Sequence, residues 1–256
     1  MTYCVALKLD AGLVFASDSR TNAGFDQVSC FRKMRLFNRA GDRIIVVLSS
    51  GNLSITQSTL NRFEHGGQED DAGNLWNATS LFEIALLMGD CLRQVREREE
   101  PFLADGNVPT NTNFIIGGQI MGEPPRLFLV YDEGNFIEAT AETPFFQIGE
   151  TKYGKPILDR VIQASTPLME AIKCVLVSFD STMRSNVAVG LPIDLACCRT
   201  DGLALSDYHH ITETDKYFAS ISRLWSEGLR GVFASLPDPD WDPQSQTVVT
   251  PGDSTQ

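Results

Sequence analysis

The chain opens on an apolar run with a single polar interruption, Tyr3-Cys4-Val5-Ala6-Leu7-Lys8-Leu9, followed by Asp10-Ala11-Gly12 and a second run, Leu13-Val14-Phe15-Ala16-Ser17. Two β-rich runs around a Gly-containing turn predict a hairpin. A second hairpin is predicted from Phe31–Asn38 and Arg43–Ser49 around Arg39-Ala40-Gly41-Asp42. The polar Ser50-Gly51-Asn52 then opens a helix over 53–64, and a polar, Gly-rich loop covers His65 to Asn74. Ser80-Leu81-Phe82-Glu83 has the spacing of a capping box and predicts a helix running to Arg98.

The same order then recurs. Four short strands are predicted at Asn113–Gly118, Arg126–Tyr131, Asn135–Thr140 and Phe145–Ile148, followed by helices over 153–164 and 167–179. Strands over 193–199 and 203–207 and a helix over 214–234 complete the pattern. Blocks of strands separated by pairs of helices do not fit a doubly wound parallel sheet, which needs strict β-α-β alternation. They fit an α+β fold in which two antiparallel sheets pack face to face with helices outside both, a four-layer α-β-β-α sandwich.

Composition narrows the function. At 256 residues and 43% hydrophobic content the chain can bury one substantial core, so a single domain over 1–236 is expected, with a loose Pro-, Asp- and Ser-rich tail over 237–256. A net charge of −12 argues against a nucleic-acid partner or an anionic membrane surface, both of which need a basic footprint. The six cysteines lie mostly inside apolar runs without a Cys-x-x-Cys spacing and read as reduced core residues. With neither an export signal nor a membrane-length apolar run in view, the expected location is cytoplasmic.

Three early polar residues carry the candidate chemistry. Thr2 follows Met1, and removal of Met1 makes it a residue with both a hydroxyl nucleophile and an α-amine that can take the hydroxyl proton. The α-amine, with a pKa of about 7.7–8.0, is partly neutral near pH 7. Asp18 closes the second strand of a hairpin that returns beside the first, and Lys33 sits in the run Cys30-Phe31-Arg32-Lys33-Met34. A lysine held by an aspartate near Thr2 lowers the pKa of the threonine groups through space. By contrast, His209-His210 lacks a third ligand at metal spacing and reads as structural, Gly117-Gly118 reads as a bulge or close packing, and Arg96–Glu100 reads as a solvated helix end.

Taken together, Thr2, Asp18-Ser19-Arg20, Lys33, Ser50-Gly51-Asn52 and Gln147-Ile148-Gly149-Glu150-Thr151 resemble the proteasome β-subunit pattern of N-terminal nucleophile hydrolases, in order and spacing over most of the chain. The opening Thr-Tyr-Cys-Val-Ala and the extended C-terminal segment look most like the bacterial ancestral β-subunit (Anbu) family. The resemblance implies Thr2 as nucleophile with its own amine as base, Asp18 and Lys33 as the supporting charge pair, and the Gly51 N–H as oxyanion donor.

Two departures bear on the threonine amine. Where the family carries Asp-x-x-Ser-Gly, this chain has Thr182, Ser185 and Asn186, with Ser185 in the serine position; where it carries Gly-Ser-Gly, this chain has Gly149-Glu150-Thr151, so that Glu150 or Thr151 must substitute. Slow turnover or an unusual substrate follows from such changes. The expected activity is a threonine peptidase acting through an acyl-enzyme on peptide or unfolded protein, with no metal and no cofactor. A small-molecule amidase or a vestigial assembly subunit on the same fold are the alternatives. A homo-oligomer, ring or ring-like, is implied, and the sequence names no ATPase partner.

Overall fold

A computed structural model describes residues 1–22, 28–66, 74–105 and 109–239. The first hairpin is β1 (Tyr3–Leu9) and β2 (Gly12–Asp18), with Cys4 opposite Ser17 and Leu9 opposite Gly12. Its residues face two ways because successive strand side chains alternate. Tyr3, Val5, Leu7, Val14 and Ala16 join one apolar cluster, whereas Cys4, Ala6, Leu13 and Phe15 join another. Both faces are covered, which is why the opening run is apolar at nearly every position.

Around that hairpin, β10 (Phe145–Gly149), β11 (Ile193–Arg199) and β12 (Asp207–Ile211) complete an antiparallel sheet in the order β10-β1-β2-β11-β12. The second antiparallel sheet runs β5 (Met34–Arg39), β6 (Arg43–Gly51), β7 (Thr112–Ile120), β8 (Arg126–Val130) and β9 (Phe136–Glu138) in sequence order. The Cys4 and Phe15 face packs on Ile44, Val46, Leu48 and Ile115 of this sheet, forming the middle layer. Gly117 makes room there: a Cβ on it would stand 2.8 Å from the Phe15 ring. Close packing is thus the reason for this glycine.

Helices cover the outer faces. α1 (Leu53–His65) and α2 (Leu81–Asp105) pack on the second sheet through Ile55, Phe63, Ile84 and Met88 against Ile45 and Val47. α3 (Lys155–Val161) and α4 (Leu168–Ser185) cover the first sheet, and Phe218 of α5 (Lys216–Ser235) joins the same cluster. Three apolar layers between four structural layers make the α-β-β-α sandwich. Each fully buried aromatic such as Phe15 or Phe179 stabilises it by roughly 1.5–3 kcal/mol.

Several boundaries differ from the sequence expectation. β3 (Arg20–Asn22) and β4 (Val28–Cys30) form a small hairpin that no alternating pattern announced. The strand expected over Phe31–Asn38 begins at Met34, and α2 continues past Arg98. α3 occupies only part of 153–164. α4 runs on to Ser185 because the polar residues after Phe179 satisfy themselves within the helix. Thr182 is buried with its hydroxyl donating to the Ser178 carbonyl at 2.8 Å, and Arg184 reaches Asp180 at 3.2 Å. β12 starts at Asp207 rather than 203, since pairing with β11 begins there, opposite Cys197, beyond a tight turn in which Asp201 and Leu203 have positive φ.

The capping box holds, with Ser80 Oγ accepting from the Glu83 N–H at 3.1 Å and the Glu83 carboxylate accepting from the Thr79 N–H at 2.7 Å. Cys4, Cys91, Cys174, Cys197 and Cys198 are buried free thiols. Among the described residues no helix is long and apolar enough to cross a membrane. The expected tail, from residue 240 onward, and most of the loop after His65 lie outside the described residues.

Candidate active site

Two backbone contacts fix Thr2 at the head of β1. The Tyr3 N–H donates to Asp18 Oδ1 at 2.9 Å, and the Glu150 N–H donates to the Thr2 carbonyl at 2.6 Å. The second requires Gly149, opposite Tyr3 in the β1–β10 register, to come close. Gly149 has φ +85°, and a Cβ there would lie 2.0 Å from the Thr2 oxygen. Glycine adopts this backbone without the penalty of an L side chain. The Tyr3 side chain below is tied in turn, its hydroxyl accepting from the Gln147 amide at 2.7 Å and lying 3.0 Å from Ser178 Oγ. Thr2 therefore stands on a rigid strand rather than a frayed end.

Lys33 precedes β5 and faces β2 across the gap between the sheets. Its carbonyl accepts from the Ser49 N–H at 3.0 Å, which pins its backbone, and its Nζ donates to Asp18 Oδ1 at 2.7 Å and to the Arg20 carbonyl at 2.6 Å. Both side chains of the pair are buried, at 9% and 0% exposure. Burial pushes the Asp18 carboxyl above its ordinary value, and Lys33 together with the Tyr3 N–H pulls it back. Its other oxygen, Oδ2, is buried without a partner among the described residues. An ammonium has three protons, and two are committed here. The third has no acceptor among the described residues, and Lys33 lines the same cleft as Thr2.

That cleft has a volume of about 950 Å³ and opens between the ends of the two sheets. Gly51 forms its rim. Ser49 N–H points across β6 to Lys33, so by strand alternation the Gly51 N–H faces the same side, where β5 has ended and the cleft begins. Gly51 has φ +111°, and a Cβ would meet the Asn111 oxygen at 1.9 Å. The next residue, Asn52, caps α1, its Oδ1 accepting from the N–H groups of Ser54 at 3.0 Å and Ile55 at 3.3 Å. Strand end, glycine and helix start are thus locked in one short segment.

Of the residues expected to support the threonine amine, Glu150 comes near. It is buried, touches the Thr2 carbonyl through its backbone, and accepts at Oε2 from the Asn186 amide at 2.9 Å. Ser185 is exposed at the last residue of α4 and is not among the residues lining the cleft. Its neighbour Asn186 is the one that reaches toward the site. Thr151 lines a separate hollow with Phe145 and Lys155.

The sequence reading missed Tyr208, Arg32 and Arg35, all of which line the cleft. Tyr208 belongs to a network on the fully buried Asp194, whose Oδ1 lies 2.8 Å from the Tyr208 hydroxyl and 2.7 Å from His210 Nδ1, and whose Oδ2 accepts from Ser19 at 3.1 Å. Desolvation first, and Asp194 second, push the Tyr208 phenol up to about 12. His210 here has a structural partner, as expected. The polar Asp207-Tyr208-His209-His210 run carried little strand signal, and nothing local placed it beside Thr2.

The layered fold, with Thr2 at the start of its first strand, Lys33 on Asp18 and an open cleft between, defines a proteasome-type N-terminal nucleophile hydrolase fold. No protein-family model matches the chain, and no curated protein matches it. Solved structures match over nearly its whole length. It is 48% identical to Anbu (ancestral β-subunit) from Yersinia bercovieri, with 94% of this chain and 100% of that one covered and a TM-score of 0.87. The Anbu complex from Pseudomonas aeruginosa, described as a helical assembly, is 48% identical over 93% of this chain and 98% of that one, with a TM-score of 0.88. Anbu from Hyphomicrobium sp. strain MC1 is 45% identical over 94% and 100%, with a TM-score of 0.87. The chain belongs to the Anbu family, a relative of the proteasome β-subunits.

Proposed function

We propose that this protein, after removal of Met1, is a cytoplasmic threonine peptidase acting through an acyl-enzyme. The Thr2 hydroxyl attacks the peptide carbonyl and its proton passes to the Thr2 α-amine, which then gives it to the departing amine of the product. An ester on Thr2 remains. Water attacks that ester with the same amine as base, releasing the acyl half as a carboxylic acid and regenerating Thr2. Lys33 favours the neutral amine and the developing alkoxide through its charge, and the Gly51 N–H stabilises the oxyanion, a contribution of the kind that costs about 10²–10³ in rate when lost. Asp18 acts on Lys33 and on the β1 backbone as a positioning residue.

The observation that carries this reading is Lys33, held by Asp18 and the Arg20 carbonyl and lining the same cleft as Thr2. A peptide epoxyketone, which reacts with hydroxyl and amine of one residue, tests it. The expected result is one adduct on protein whose intact mass lacks Met1, and none on Thr2→Ala. Retention of Met1 in the native protein, or no adduct on Met1-free protein, overturns it. The position of Ser185 outside the cleft favours a second reading, an assembly subunit with a vestigial site, which then takes over.

Assembly into a homo-oligomer belongs to both readings. Leu229, Val232, Phe233 and Leu236 follow one another at helical i, i+3, i+4, i+7 spacing along α5 and its end and are between 52% and 77% exposed. An apolar stripe of this kind on a soluble fold marks a contact surface, and the Pseudomonas aeruginosa relative forms a helical assembly.

A further inference from the structure

The cleft carries a charge opposite to that of the molecule around it. The chain has a net charge of −12, yet the described residues lining the cleft include Arg32, Lys33 and Arg35 and neither Asp nor Glu. Lys33 is neutralised from behind by Asp18. Arg32 and Arg35 are both exposed, and among the described residues neither has an ion-pair partner. The Asp194 carboxylate behind Tyr208 is already committed to Tyr208, His210 and Ser19. Two unspent guanidinium groups therefore face the cleft.

Their positions differ. Arg32 stands on the Tyr208 side. Arg35 is on β5, the edge strand of its sheet, where alternation puts it on the same face as Phe37. The Phe37 ring meets Phe63 of α1 edge-on at 5.7 Å between centroids, so this face looks toward α1, whose Leu53 and Gln57 line the same cleft. Arg35, Leu53 and Gln57 line the same cleft as Thr2 and Gly51, so the gap between β5 and α1 is open to the side chain of a peptide residue whose carbonyl is held there. Arg35 borders that gap.

We propose that Arg35 determines specificity by recruiting a carboxylate on the side chain of the residue whose carbonyl Thr2 attacks, so that the cleft selects peptides with Asp or Glu there. The inference rests on the threonine-peptidase reading and extends it to a substrate class. A planar guanidinium with five donors matches a carboxylate through two parallel hydrogen bonds, which a lysine cannot reproduce. Nothing else in the gap needs that charge: Leu53 is apolar and Gln57 neutral. An ordinary solvated edge-strand arginine, which discourages strand-to-strand association, predicts no such selectivity.

Binding separates this proposal from catalysis. Fluorescent hexapeptides, amidated at the C-terminus and differing only in Glu, Gln or Lys at the central position, are titrated against the full-length Thr2→Ala protein. The expected order is Glu over Gln by about five- to tenfold, with Lys weakest, and a Glu preference that shrinks at high salt. Arg35→Gln should abolish the preference, Arg35→Lys should keep part of it, and Arg35→Glu should favour the Lys peptide. Equal binding of the three peptides, no binding of any, or a preference that survives Arg35→Gln overturns the assignment. Labelling of wild-type Thr2 by an epoxyketone is read separately, so a catalytic threonine without acidic selectivity and acidic selectivity without a catalytic threonine are distinct outcomes.

Discussion

At the residue scale, the buried Lys33–Asp18 pair is where charge and stability meet, and its pH response can be predicted. Removing one member of a buried ion pair leaves the other charge uncompensated, at a cost of about 3–5 kcal/mol. In Lys33→Met, the Asp18 carboxyl, already raised by burial, loses the cation that pulls it back and rises further. A carboxyl whose folded pKa exceeds its unfolded value of about 3.9 contributes stability that is full below the unfolded pKa and is lost as pH rises through the folded one. Lys33→Met should therefore lie near wild type in stability at pH 4 and fall about 3–5 kcal/mol below it at pH 7. Urea denaturation at both values measures this, and an equal loss at the two would show that packing rather than charge sets the cost. The residues that mattered here were partly legible: Thr2, Asp18 and Lys33 stand out as polar groups in strand-rich surroundings, whereas Arg35 and Tyr208 look like any exposed strand residue until the cleft is formed around them.

At the element scale, the candidate site is framed by glycines that let backbones meet. Gly149→Ala forces a positive-φ backbone on an L residue, costing about 1–2 kcal/mol, and drives a methyl into the Thr2 carbonyl. It should destabilise by more than 2 kcal/mol and abolish epoxyketone labelling, because β10 can no longer hold the head of β1. Ser80→Ala, by contrast, removes only the α2 cap and should cost about 1 kcal/mol while labelling is unchanged. Thermal melts and labelling on the two variants separate a local helix effect from a site effect. These elements were readable to different degrees. The capping box and the first hairpin carry their signals in four to seven adjacent residues, whereas the end of α4 depends on Thr182 and Asp180 finding partners within the helix, which no polarity pattern reveals.

At the scale of the whole molecule, the exposed stripe on α5 is the surface through which assembly is proposed. Leu229→Asp with Phe233→Asp places two charges on it without touching the core, since both residues are exposed. Native mass spectrometry should show the homo-oligomer of wild type reduced to smaller species, with the far-UV circular dichroism retained. An unchanged mass would place the contacts elsewhere. The sequence by itself determined the layered sandwich and the candidate nucleophile, because strand and helix periodicities and the chemistry of Thr2 are local properties written in adjacent residues. Tertiary structure decided that Lys33 lines the same cleft as Thr2, that Asn186 rather than Ser185 reaches Glu150, and that Arg32, Arg35 and Tyr208 border one space. These residues are separated by as much as most of the chain, and only the face-to-face packing of two sheets, driven by burial of Phe15, Leu48 and their neighbours, brings them together.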